Sequence, residues 1–154
     1  IKFKQSITMP QSNRFQDENL TLSDFYKEVW VVCPSCAEKA IAAVNFDLKS
    51  ARLFCVKCGL NKKTSILVKE NVTLQMAAHQ YFSAELWLKL PFKNEIFWAL
   101  NDKHLHYLEN YIAAKLREHK DRTHFTLLEK LPRFYHDSKN REGLLKLIVK
   151  LKSE

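Results

Sequence analysis

The chain has 154 residues, 46% of them hydrophobic and 27% charged, with a formal net charge of +8. That composition supports one domain of ordinary size, or a small module joined to a second, and it excludes a disordered, low-hydrophobicity class. No run of about eighteen apolar residues occurs and no secretory signal is visible, so no membrane span and no membrane partner are expected. The chain opens at Ile1 rather than methionine, so its native start is expected to be missing or trimmed.

Residues 1–20 are polar and unpatterned apart from isolated apolar positions such as Phe3 and Phe15, and read as a poorly ordered arm. Residues 21–28 suggest a short helical turn with Thr21 or Ser23 as its cap. The arm and this turn form the first segment, 1–28.

The second segment, 29–70, holds all four cysteines: Cys33 and Cys36, then Cys55 and Cys58 after an eighteen-residue interval. C-x2-C, a spacer and C-x2-C is the spacing of a structural zinc site. Each pair presents two thiolates to one ion, and two pairs close a tetrahedron with no position left for water or substrate. One structural Zn2+ is therefore the expected cofactor. Iron in a rubredoxin-like site is the metal alternative, and two disulfides or four core cysteines are the metal-free readings. Val29-Trp30-Val31-Val32 and Arg52-Leu53-Phe54 read as strands feeding two knuckles, with Gly59 supplying a positive φ after Cys58. Ala40-Ile41-Ala42-Ala43-Val44-Asn45-Phe46 and Ser65-Ile66-Leu67-Val68 read as the strands that follow. Asp47-Leu48-Lys49-Ser50 reads as the turn between the second and third strands. Strand, knuckle, hairpin, knuckle and strand together predict a zinc ribbon.

The third segment, 71–154, reads as a β-hairpin followed by helices. Residues 73–82 suggest a helix. Residues 85–90 and 95–100 suggest the hairpin strands, with the turn at Pro91-Phe92-Lys93-Asn94. The hairpin carries Trp87 and Trp98, which suit either a base-stacking platform or, the favoured reading, a docking core. Asn101 or Asp102 caps a helix expected to run to about Lys120, with Leu105, Leu108, Ile112 and Leu116 as its buried stripe. A short helix is expected over 122–131, halted by Pro132. Ser138 or Asp137 is expected to cap a last helix with Leu144, Leu145, Ile148 and Leu151 inside. The predicted fold class is α+β: an N-terminal four-cysteine ribbon with a small antiparallel sheet, then a hairpin and a helical tail.

The run Trp98-Ala99-Leu100-Asn101, with His104-Leu105, Leu108-Glu109, Tyr111-Ile112, Leu116-Arg117-Glu118, Leu131-Pro132 and Ser138-Lys139-Asn140-Arg141, resembles a family of small bacterial proteins. That family pairs an N-terminal ribbon, similar to the zinc ribbon of transcription factor IIB, with this hairpin-and-helix tail. Members often carry cysteine in the hairpin turn, where this chain has Pro91-Phe92-Lys93-Asn94, so a second metal site is not implied. The family name describes the ribbon and not an activity, so the resemblance implies fold more than function.

Charge supplies the functional expectation. Between Lys115 and Lys152 stand eleven Lys/Arg against five Asp/Glu, a local net of +6. Arg52, Lys57, Lys62 and Lys63 near the second knuckle, extended by Arg117, Arg122, Lys139, Arg141 and Lys146, are the candidate phosphate contacts of a nucleic-acid-binding surface. The alternative is an adaptor that uses the ribbon or the hairpin to dock on a larger protein complex. His104, His106, Asn101 and Asp102 cluster at a helix start, but capping and packing account for them. With no nucleophile motif, P-loop, dinucleotide fingerprint or open metal site, neither catalysis nor a small-molecule substrate is expected. Thiolates poised for zinc suit a reducing cytoplasm.

Overall fold

Alternating apolar residues build the centre of the molecule, as the strand periodicity requires. The computed structural model describes residues 14–114, 116–118 and 126–154, with backbone alone for 14–16 and 116–118. Strand β1 (Arg14–Gln16) is followed by a 3-10 turn, Leu22–Phe25, with Thr21 at its N-cap position. Four strands then form one antiparallel sheet in chain order: β2 (Glu28–Val32), β3 (Lys39–Asn45), β4 (Ser50–Phe54) and β5 (Asn61–Ser65). Val29, Val31, Ala40, Ala42, Val44, Ala51 and Leu53 point to one face and are at most 5% exposed. The 3-10 turn Ala78–Phe82 lies against this face, touching β2, β3 and β4.

A small hairpin follows, β6 (Leu67–Lys69) with β7 (Val72–Thr73), and then the larger hairpin β8 (Leu88–Phe92) with β9 (Glu95–Ala99). Helix α1 spans Asp102–Ala113, and β10 (Leu116–Glu118) pairs in parallel with β1. Three short 3-10 turns lead to α2 (Arg141–Lys152), which lies on α1 and β8. The expected α+β class is therefore present, with an antiparallel sheet and a C-terminal helix. The seam between sheet and tail is main-chain bonded. Trp30 N–H donates to Leu100 O, Trp87 N–H to Trp30 O, and Val32 N–H to Glu85 O. These bonds cross the boundary expected near residue 70.

Several expectations are corrected. Residues 73–82 do not form a helix: Thr73 belongs to a strand, and only Ala78–Phe82 turns, as 3-10. The strand expected at residues 65–68 is two elements, because Ile66, 2% exposed, turns into the core between β5 and β6. The arm is not loose throughout. Arg14–Gln16 is a strand, and Asp17 is fully buried, accepting hydrogen bonds from Tyr107 Oη (2.7 Å) and Thr126 Oγ1 (3.3 Å). Helix α1 stops at Ala113 rather than near Lys120, and Leu116 lies in β10 instead of a helical stripe. Two tertiary causes end the helix. The chain after Ala114 is drawn into pairing with β1, and the Arg141 guanidinium donates to Ile112 O (3.1 Å) and Ala114 O (3.4 Å). A cation on the last carbonyls satisfies groups that a longer helix would have satisfied itself. Of the helix expected over 122–131, residues 122–125 lie outside the described residues, and the remainder shows only a 3-10 turn, Leu128–Lys130. The last helix holds Leu144, Ile148 and Leu151 inside as expected, while Leu145 is half-buried.

Gly143 has a packing reason that outweighs its low helix propensity. A Cβ there would sit 3.0 Å from Phe92 Cε2, so the glycine lets α2 approach the hairpin. Trp98 of the hairpin and His104 of α1 meet edge to face at 5.8 Å between ring centres, which supports the core reading of Trp98.

Candidate metal centre and basic surface

The two C-x2-C turns fold alike. In the first, Ala37 N–H donates to Cys33 O and Cys33 N–H to Glu38 O; in the second, Gly59 N–H donates to Cys55 O and Cys55 N–H to Leu60 O. The residue after each second cysteine is left-handed, Ala37 at φ 63° and Gly59 at φ 79°. The glycine was legible in the sequence; the strained alanine was not, because only the repeat of the turn reveals it.

These turns bring the four sulfurs within 4.8 Å of one another. Cys33 and Cys58 Sγ are 3.7 Å apart, and Cys36 and Cys55 Sγ 3.6 Å. Disulfide sulfurs would be about 2.05 Å apart. A tetrahedral ion with bonds of about 2.3 Å sets its thiolates about 3.8 Å apart. The spacing therefore fits one shared metal ion, and both of these pairs join the two knuckles. Burial opposes ionisation of Cys33, but N–H groups of Cys36 and Ser35 and the Cys58 sulfur outweigh it and hold its pKa below the usual thiol value. For Cys36, the Glu38 N–H favours the thiolate, while burial and the three neighbouring sulfurs oppose it and win. Four thiolates this close repel one another, and a divalent cation at their centre removes that repulsion. Cys33 and Cys55 are buried, Cys36 is half-buried and Cys58 is exposed, so the site opens at the second knuckle.

The candidate phosphate contacts fall into separate groups. Arg52 on β4 is paired in register with Lys63 on β5, Lys62 is the neighbour of Lys63, and Lys57 stands on the second knuckle. All four are exposed, and among the described residues none pairs with a carboxylate. Arg52 is oriented by Asn61 Oδ1, which accepts from its Nε at 2.9 Å, and lies over the Phe54 ring at 4.9 Å. Lys39 was not singled out in the sequence, yet its Nζ lies 3.8 Å from the Trp30 ring centre.

The tail contributes differently. Lys139 is exposed on the 3-10 turn Ser138–Asn140, and Lys146 is exposed on α2 but paired with Glu142 at 3.0 Å. Arg141 is half-buried, its guanidinium donating to Ile112 O at the end of α1 and to Ala114 O just beyond it. Arg117 lies on β10, and Arg122 lies outside the described residues. Among the described residues, no helix is long and apolar enough to cross a membrane.

At the helix start, Asn101 and His104 hold structural positions, while Asp102 and His106 are exposed. Asn101 caps α1, its Oδ1 accepting from His104 N at 2.9 Å. His104 is 2% exposed, its Nδ1 accepts from Leu100 N at 3.0 Å, and its ring stacks on Phe25. No family model, curated protein or solved structure matches this chain.

Proposed function

We propose that the protein is a non-enzymatic zinc ribbon that binds nucleic acid through phosphate contacts. Zinc is the ion best suited to the site, since a four-thiolate tetrahedron with no open position is its usual structural shell. Cys33, Cys36, Cys55 and Cys58 hold the ion, and the ion ties the two knuckles and so the β2–β5 sheet. The observation that carries the nucleic-acid reading is the pairing of Arg52 with Lys63 on one face of the β4–β5 hairpin, with Lys57 on the knuckle that joins its strands. Lys62, in register with Leu53, lies on the other face, so three exposed cations make this surface.

The test uses protein of verified metal content, titrated onto labelled single- and double-stranded DNA and RNA at low and physiological salt. Three phosphate contacts imply a loss of roughly fortyfold in affinity between about 50 and 200 mM salt. Absence of binding at low salt refutes this function. The metal assignment has its own check: one zinc per chain by elemental analysis, lost in Cys58→Ser. An iron content instead of zinc overturns it.

The adaptor reading rests on Val56, 88% exposed at the tip of the second knuckle. An apolar side chain there suits a protein pocket, and binding through it would change little with salt.

A further inference from the structure

The inference concerns the outer face of the β2–β5 sheet, and it rests on the nucleic-acid reading above. Strand pairing aligns Trp30, Ile41, Phe54 and Asn61 in one row across the four strands. The antiparallel bridge between Val31 and Leu86 extends the row, placing Trp87 opposite Trp30. Trp87, Trp30, Ile41 and Phe54 are all half-buried, although they lie on the face opposite the core residues Val29, Val31, Ala42 and Leu53. Single apolar residues on a surface need no explanation. A continuous row of two tryptophans, an isoleucine and a phenylalanine is a different matter, because it runs unbroken from Trp87 across β2, β3 and β4.

The charges beside the row have an order. Lys39 rests on the Trp30 ring and Arg52 on the Phe54 ring, with Lys63 next to Arg52. The acids on this face, Glu28 on β2 and Glu85 opposite Val32, lie toward the β2 edge. Cations therefore dominate from β3 to β5, and the second knuckle continues them with Lys57.

We propose that this face is a stacking platform for single-stranded nucleic acid. Bases stack on Phe54 and Trp30 by displacing the Arg52 and Lys39 side chains that rest on those rings, and the freed Arg52, with Lys63 and Lys57, meets the backbone along the β4–β5 side. Bases in a duplex keep their faces stacked on one another, whereas a single strand offers them to aromatic rings. The occupant is chosen by this combination: rings for bases, cations for phosphates, and acids confined to the far edge.

The test is fluorescence anisotropy with labelled dT15, rU15 and a duplex of equal length, using the full chain and the variants Trp30→Ala, Phe54→Ala, Trp30→Phe and Lys63→Ala. At least one single strand is expected to bind roughly tenfold more tightly than the duplex. Trp30→Ala and Phe54→Ala should each weaken that binding roughly tenfold without changing its salt dependence. Lys63→Ala should reduce the salt slope by about 1. Trp30→Phe keeps a stacking ring, so it should bind close to wild type while reducing the tryptophan quenching caused by dT15. This variant keeps the test decisive if Trp30→Ala fails to fold. Equal affinity for duplex, or binding unchanged in Phe54→Ala and unquenched tryptophan in the wild type, overturns the platform while leaving nucleic-acid binding standing. Failure of every nucleic acid to bind at low salt removes both.

Discussion

Asn101 ties three parts of the fold together, and replacing it tests that reasoning directly. Its Oδ1 caps α1, while its Nδ2 donates to Phe25 O (3.2 Å) and Glu28 O (2.7 Å), joining the helix start to the entry of β2. The residue is 6% exposed. Asn101→Ala loses a cap of about 1 kcal/mol. It also loses two hydrogen bonds of about 1 kcal/mol each, so the expected cost is about 3 kcal/mol. With a urea m-value of about 2 kcal/mol/M, the unfolding midpoint falls by about 1.5 M. Asn101→Asp separates the two roles. It keeps the cap acceptor and gains from the helix dipole, but places a carboxylate against two carbonyl oxygens that formerly accepted from Nδ2. That contact raises the folded carboxyl pKa above its unfolded value of about 3.9. The folded state then binds more protons, and stability falls as pH rises from about 4 toward 7. Urea melts of wild type and both variants at pH 4.5 and 7 check this. Asn101→Asp matching wild type at pH 7, or Asn101→Ala costing no more than the cap alone, would show that the two carbonyl bonds contribute nothing.

Other perturbations test separate parts of the structure. Burial lowers the His104 pKa from 6.5 to about 4. The unfolded chain therefore binds the extra proton between those values, and His104 contributes stability that is complete above pH 6.5 and lost as pH falls. The loss reaches about 3 kcal/mol near pH 4. His104→Asn should flatten this part of the stability profile, and an unchanged slope would refute the assignment. Gly143→Ala should gain little, because a helix-propensity benefit of about 1 kcal/mol meets the Phe92 ring. The gain should return in a Phe92→Ala background, and a double-mutant cycle with no coupling would show the close approach to be irrelevant. Gly59→Ala should cost about 1 kcal/mol from its left-handed backbone alone, since an added Cβ meets nothing within 4 Å. Ala37→Gly, at the equivalent place in the other knuckle, should not destabilise; a thermal melt showing a clear loss would mean that the Ala37 side chain contributes contacts that outweigh its strain.

The sequence by itself determined the features that depend on near neighbours. The two C-x2-C pairs, the strands that run into and out of them, the hairpin of Trp98, and the Asn101 cap all follow from spacing along a few residues. Tertiary structure decided what depends on residues far apart in the chain. The stripe from Leu105 onward reads as a helix passing Leu116, and nothing local says that Arg14–Gln16 will pair with Leu116–Glu118 or that Arg141 will cap the helix carbonyls. Asp17 looks like part of a polar arm until Tyr107 and Thr126 close around it. The candidate site divides in the same way. Its cysteines were legible because the ligand geometry is built into each short turn. The row of Trp87, Trp30, Ile41 and Phe54 was not, because it exists only once strand register aligns residues from four separate segments. A shift of one residue in any pairing would turn those side chains to the opposite face.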